Sequence, residues 1–140
     1  MRNQAASASI RGREDLDTGS CLRLLASQEI GHLGLTAKAL PVVTPIRYRL
    51  FGETIVFATG CTSELHSARK HAVACVEIAG VDPSTGTEWT ALATGRLRVA
   101  ENPSTWPDAQ PLPPAWGAPD ATHFIALDIE LLNGCATRTQ

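Results

Sequence analysis

The spacing of apolar residues changes along the chain, and each change marks a different element. Leu22, Leu25 and Ala26 recur at helical spacing after Thr18 and Ser20, either of which can cap a helix. Gly31 is a suitable stop, since glycine takes the left-handed conformation that ends helices. From His32 the period shortens to that of a strand. His32 to Ala37 and Leu40 to Phe51 are predicted strands, with Lys38 and Ala39 as the reversal between them. Gly52-Glu53 turns the chain into a third strand, Thr54 to Thr59. Ser63 to Lys70 reads as a short helix capped by Ser63. Ala72 to Ile78 reads as a strand apolar enough to be buried on both faces. After turn chemistry at Asp82-Pro83-Ser84-Thr85-Gly86, a long strand runs from Glu88 to about Val99.

Residues 102–122 carry six of the nine prolines together with Trp106 and Trp116. Such proline density forbids a central strand, and two tryptophans are costly to leave in water. An ordered arm lying over the rest of the protein, or over a partner, is the expectation. A last strand from His123 to about Asp128 precedes a turn near Asn133-Gly134. Six strands, two or three short helices and no βαβ alternation predict a mainly β fold, a six-stranded antiparallel split barrel. Residues 15–134 form its single domain, with a disordered tail over residues 1–14 and a short tail over residues 135–140.

Composition narrows what such a barrel can do. The 140 residues suffice for one domain that buries roughly two-thirds of its unfolded surface. The net charge of −2 leaves no basic footprint for nucleic acid or anionic membrane. No apolar run approaches the ~20 residues of a spanning helix. Cys21, Cys61, Cys75 and Cys135 form no C-x-x-C pair, and the four histidines lack metal-ligand spacing, so no metal site is expected. The thiols read as reduced, in a cytoplasmic protein. Residues 1–14 hold three arginines and no acid before Glu14, a composition read as a bacterial tail rather than a transit peptide.

Two segments carry candidate chemistry. On the strand containing Thr44-Pro45-Ile46-Arg47-Tyr48-Arg49, Arg47 and Arg49 share one face, while Ile46, Tyr48 and Leu50 share the other. Two guanidiniums side by side fit phosphate; the alternative is a solvated barrel exterior. Thr59-Gly60-Cys61-Thr62-Ser63 is a strand end running into a helix start, where free N–H groups and hydroxyls can hold an anion. An ordinary capped helix explains it equally well. His66 and His71 are expected on the surface, and Glu77 beside an arginine or at the barrel's edge. No nucleophile–base constellation is visible, so no catalytic side chain is assigned.

Taken in order, these pieces resemble the FMN-binding split-barrel proteins of the pyridoxamine 5′-phosphate oxidase-like superfamily. The resemblance covers about Cys21 to Gly134. It rests on Leu24-Leu25, Gly31-His32-Leu33, Pro45-Ile46-Arg47-Tyr48, the strand Ile55 to Thr59, Val73 to Glu77, Trp89-Thr90 followed by Gly95, and Pro114-Ala115-Trp116-Gly117 before His123-Phe124-Ile125. It implies a homodimer with two flavin sites at the subunit interface. FMN's phosphate would meet Arg47, Thr59, Thr62 and Ser63. Pro45, Ile46, Arg47 and Tyr48 would edge the flavin ring, with Trp89, and Trp116 as well, beside it. The implied activity is flavin-dependent oxidoreduction of a small substrate. The alternatives are a non-catalytic dimeric ligand-binding protein, a relative that uses a deazaflavin, and a module that docks a partner through the tryptophan-bearing arm. Two positions differ from the family's habit: Glu64 stands where a basic residue is usual, and Gly134-Cys135 where Gly-Arg is usual. A phosphate at this loop requires Glu64 to turn outward, toward Arg69 or Lys70.

Overall fold

The computed structural model describes residues 12–106 and 111–137. Its strands are β1 (Arg13–Asp15), β2 (Ile30–Ala37), β3 (Leu40–Phe51), β4 (Thr54–Thr59), β5 (Val73–Val81), β6 (Glu88–Ala100) and β7 (His123–Thr137). Two helices, α1 (Thr18–Ser27) and α2 (Thr62–Arg69), and a 3-10 turn at Pro103–Thr105 complete it. All pairings are antiparallel, in the order β1-β7-β4-β3-β2-β5-β6. A further pairing of β6 with β7 closes six strands into a ring, and β1 lies outside it on β7. The predicted six-stranded barrel is therefore this ring. The strand added to it, β1, uses Arg13 and Glu14, which the sequence places in the tail. Among the described residues, no helix is long and apolar enough to cross a membrane.

Alternation builds the interior. Leu33, Ile46, Tyr48, Ile55, Phe57, Val76, Leu97, Ile125 and Leu127 point into the ring and are buried. Each such side chain contributes about 1.5–3 kcal/mol through burial. The Tyr48 hydroxyl donates to the Leu25 carbonyl at 2.6 Å, which attaches α1 to the barrel. That burial pushes the phenol's pKa above its ordinary value.

Four sequence expectations change. The helix cap is Asp17, whose carboxylate accepts from the Ser20 N–H at 2.7 Å, not Thr18 or Ser20. Helix α1 ends at Gln28, and Gly31 lies inside β2, where a Cβ would meet the Val76 side chain at 2.9 Å. β5 is buried on one face only, because its apolar residues Val73 and Ala79 and the acidic Glu77 point outward. Glu77 makes no ion pair among the described residues. β7 runs straight through Asn133-Gly134 to Thr137, because Gly134 packs against the Cys21 sulfur, with no room for a Cβ.

The Lys38–Ala39 reversal is present, with both residues at positive φ. Gly95 sits where β6 and β7 slip register; a Cβ there would overlap the Asp128 carbonyl. Residues 102–106 and 111–122 of the proline-rich arm lie over the barrel; residues 107–110 lie outside the described set. Trp106 stacks edge-on against Phe51 at 5.1 Å, and with Leu112 covers Val56, Ala100 and Ala126 on the outer face of the barrel.

Candidate functional site

The end of the barrel reached by β3 and β4 is where the two candidate segments meet. Thr44 on β3 and Thr59 on β4 sit at inward-facing positions, one strand step beyond Ile46 and one beyond Phe57. Helix α2 begins just after Thr59, and its first turn folds back over both. Its N-cap is Cys61 rather than Ser63, and no side chain caps it. This registers Glu64 onto the inner face of the helix, where it is 6% exposed. Its two carboxylate oxygens accept from the Thr44 hydroxyl at 3.0 Å and the Thr59 hydroxyl at 2.5 Å. Thr59 in turn accepts the Cys61 N–H at 2.9 Å. Glu64 forms no ion pair among the described residues, so hydroxyls and the positive end of α2 compensate its charge.

A cavity of about 300 Å³ opens beside this cluster. Pro45 and Ile46 form one wall, Thr59, Gly60 and Cys61 another, and Glu64 faces into it. The arm supplies the remaining wall through Ala115, Trp116 and Ala118. Gly60 lets the arm approach: a Cβ there would meet the Ala118 methyl at 2.8 Å. At the rim, the Arg47 guanidinium lies over the Trp116 ring, 5.2 Å from its centroid. The volume is at the lower end of small-molecule sites.

The predicted site residues separate. Pro45, Ile46 and Thr59 line the cavity, and Arg47 stands at its edge. Arg49 shares Arg47's face, as alternation requires, but reaches the other way to Glu29 at 3.3 Å. Tyr48 turns its side chain into the core, so it can offer this cavity only backbone. Thr62 and Ser63 lie on the exposed first turn of α2, outside the cavity wall. Trp89 is elsewhere, packed over Gly80 and bordering a wider groove of about 690 Å³ with Leu16, Arg23 and Pro83. Thr44 opened the Arg47 segment in the sequence but was given no role there. Glu64 was singled out there, but the outward turn toward Arg69 or Lys70 does not occur; the cap lies two residues before Ser63, and Glu64 is the third residue of the helix, turned onto its buried face.

The family model described as pyridoxamine 5′-phosphate oxidase matches residues 17–136. The uncharacterized protein Rv0080 of Mycobacterium tuberculosis is 27% identical over 136 residues, covering 94% of this chain and 90% of its own. In fold, the chain is similar to an FAD-binding protein from Mycobacterium smegmatis, with TM-score 0.66, 19% identity, and coverage of 90% of this chain and 99% of that one. An FAD-binding protein from Mesorhizobium loti gives TM-score 0.69 at 15% identity, covering 89% and 98%. The fold recurs across relatives of low identity, and the chain belongs to the pyridoxamine 5′-phosphate oxidase family.

Proposed function

We propose that this protein is a dimeric, cytoplasmic flavin-binding oxidoreductase acting on a small substrate at the cavity beside Trp116. The observation that carries the reading is the cavity itself. It joins Pro45, Ile46 and Thr59, three residues the family resemblance assigns to the cofactor, under an aromatic ring from the arm. The family match and the flavin named for structural relatives support it. A bound flavin supplies the redox chemistry from its ring. The chain's own part is to seat the ring between Trp116 and the Pro45–Ile46 backbone, and to shield one of its faces from water. Of the flavins, FMN is the one the resemblance implies, with a deazaflavin as the alternative. The residues present fit the ring of FMN better than its phosphate.

A second copy of the chain would complete the site. On the outer face of the ring, Val43 on β3 and Val73 on β5 lie either side of β2 and are 69% and 54% exposed, apolar surface that water does not favour. Covering it isologously gives a two-fold dimer. Trp106 is already used within its own chain, which leaves Trp116, 47% exposed, as the tryptophan available to a partner or ligand.

Denaturing the purified protein and identifying any released chromophore by mass tests the reading. A flavin is expected, and its bleaching by NAD(P)H would separate an oxidoreductase from a binding protein. A colourless protein that takes up no added flavin would overturn the cofactor assignment.

A further inference from the structure

An anion seat at the start of α2 needs three things: hydroxyl donors, the helix's positive end, and room. The donors here are Thr44 and Thr59, and both already serve the Glu64 carboxylate. The helix terminus lies beside that same carboxylate, which occupies the third position of the helix. The room is filled as well, since Glu64 is 94% buried by the strands and helix around it. The seat therefore contains an anion that belongs to the chain.

We propose, resting on the flavin reading above, that Glu64 is a specificity-determining residue that makes the cavity select an unphosphorylated flavin tail over a phosphorylated one. Each oxygen of Glu64 accepts one hydroxyl, and a carboxylate has about four lone-pair sites, so acceptor capacity remains on the cavity side. A ribityl chain carries hydroxyls that donate to such a group. A terminal phosphate brings roughly −1.5 to −2 charge and only acceptors. To use the Thr59 hydroxyl, it must displace Glu64 or sit in contact with it, and like charges at contact repel. Among the described residues no cation stands within the seat to offset this, since Arg47 is held over Trp116 at the rim and Arg49 is paired with Glu29. The basic residues of α2, His66, Arg69 and the C-cap Lys70, lie in or beyond its last turn and are exposed, away from the buried seat.

The test is quenching of flavin fluorescence by the full-length protein, with riboflavin, FMN and FAD titrated in parallel at low and high ionic strength. Riboflavin is expected to bind about tenfold more tightly than FMN or FAD at low salt. FMN affinity should rise with added salt, as repulsion is screened, while riboflavin affinity stays level. Glu64→Gln keeps the side chain's shape and one acceptor, and should improve FMN binding about tenfold while abolishing that salt response. The salt series on wild-type protein carries the test even where the variant folds poorly. FMN or FAD binding as tightly as riboflavin would overturn the role of Glu64 and leave the flavin reading standing. Binding of none of the three would overturn both.

Discussion

The two helices of this barrel begin in different ways, and the difference separates scaffold from site. Helix α1 is closed by its own residues: Asp17 accepts the Ser20 N–H three positions along, in water, without help from the rest of the fold. Helix α2 has no side chain at its cap. Its first turn is tied down by Glu64, which reaches across to hydroxyls on β3 and β4 and borders a cavity. A local cap tells the chain where to start a helix. A carboxylate shared between three elements also fixes where that helix sits and what charge it shows a ligand. A cap made of the fold's own tertiary contacts is the one that function can alter.

Breaking the α2 arrangement should have the largest effect on stability. Thr59→Val preserves shape but leaves the Glu64 carboxylate and the Cys61 N–H each short of a partner inside the protein. A loss of about 2 kcal/mol is expected, measured by urea denaturation. In a Glu64→Leu background the same substitution should cost far less, giving a coupling of about 1–2 kcal/mol in the double-mutant cycle. Additive effects would mean that the two side chains do not act together. Tyr48→Phe tests the attachment of α1 instead. It removes one buried hydrogen bond to the Leu25 carbonyl and should cost about 1–1.5 kcal/mol, a fall in Tm of roughly 4 °C for a domain of this size. Because Tyr48 faces the core, flavin affinity should be unchanged in that variant. Weakened binding would show that α1 and the cavity are coupled.

The sequence made the barrel legible because its reversals are short and local. Lys38–Ala39 and Gly52–Glu53 turn the chain where alternation stops, and the strands on either side follow from period two. What alternation could not show was which apolar face is covered. β5 carries apolar residues on both sides, so composition hid the fact that Val73 and Ala79 face outward. Gly134 resembles a turn residue in sequence, yet it is needed inside a strand because the Cys21 sulfur lies where its side chain would be. Of the cavity's lining, Thr59 was readable as a strand end before a helix start, and Pro45 and Ile46 entered only through the family resemblance. That Trp116 rather than Trp89 lines this cavity was not readable, since it depends on the path of the arm. The orientation of Glu64 followed from contacts with Thr44 and Thr59 on two strands, which no local signal specified, and the cap fell at Cys61, two residues before Ser63.

The smallest expected effect lies at the α1 cap and concerns its charge. The Asp17 carboxyl is held below its ordinary pKa of 3.8, first by the Ser20 N–H and then by the Ser20 hydroxyl, with Arg23 adding a weaker attraction. A depressed carboxylate stabilises the fold above its unfolded pKa, and that contribution disappears as pH falls through the lower folded value. Asn caps a helix about as well as Asp, so Asp17→Asn keeps the geometry and removes only the charge. The variant should therefore be slightly less stable than wild type from pH 7 down to about 5. The gap should narrow as pH falls through 3.8 and close below it. Asp82 and Asp128 are also held below their ordinary values, by Ser84 and Arg98 respectively. Both proteins carry them, so their acid-linked losses cancel in the difference. Parallel urea titrations from pH 3 to pH 7 measure it. A gap that stays constant across that range would mean the Asp17 cap works through shape alone, and the contrast with the charge-bearing start of α2 would be wider still.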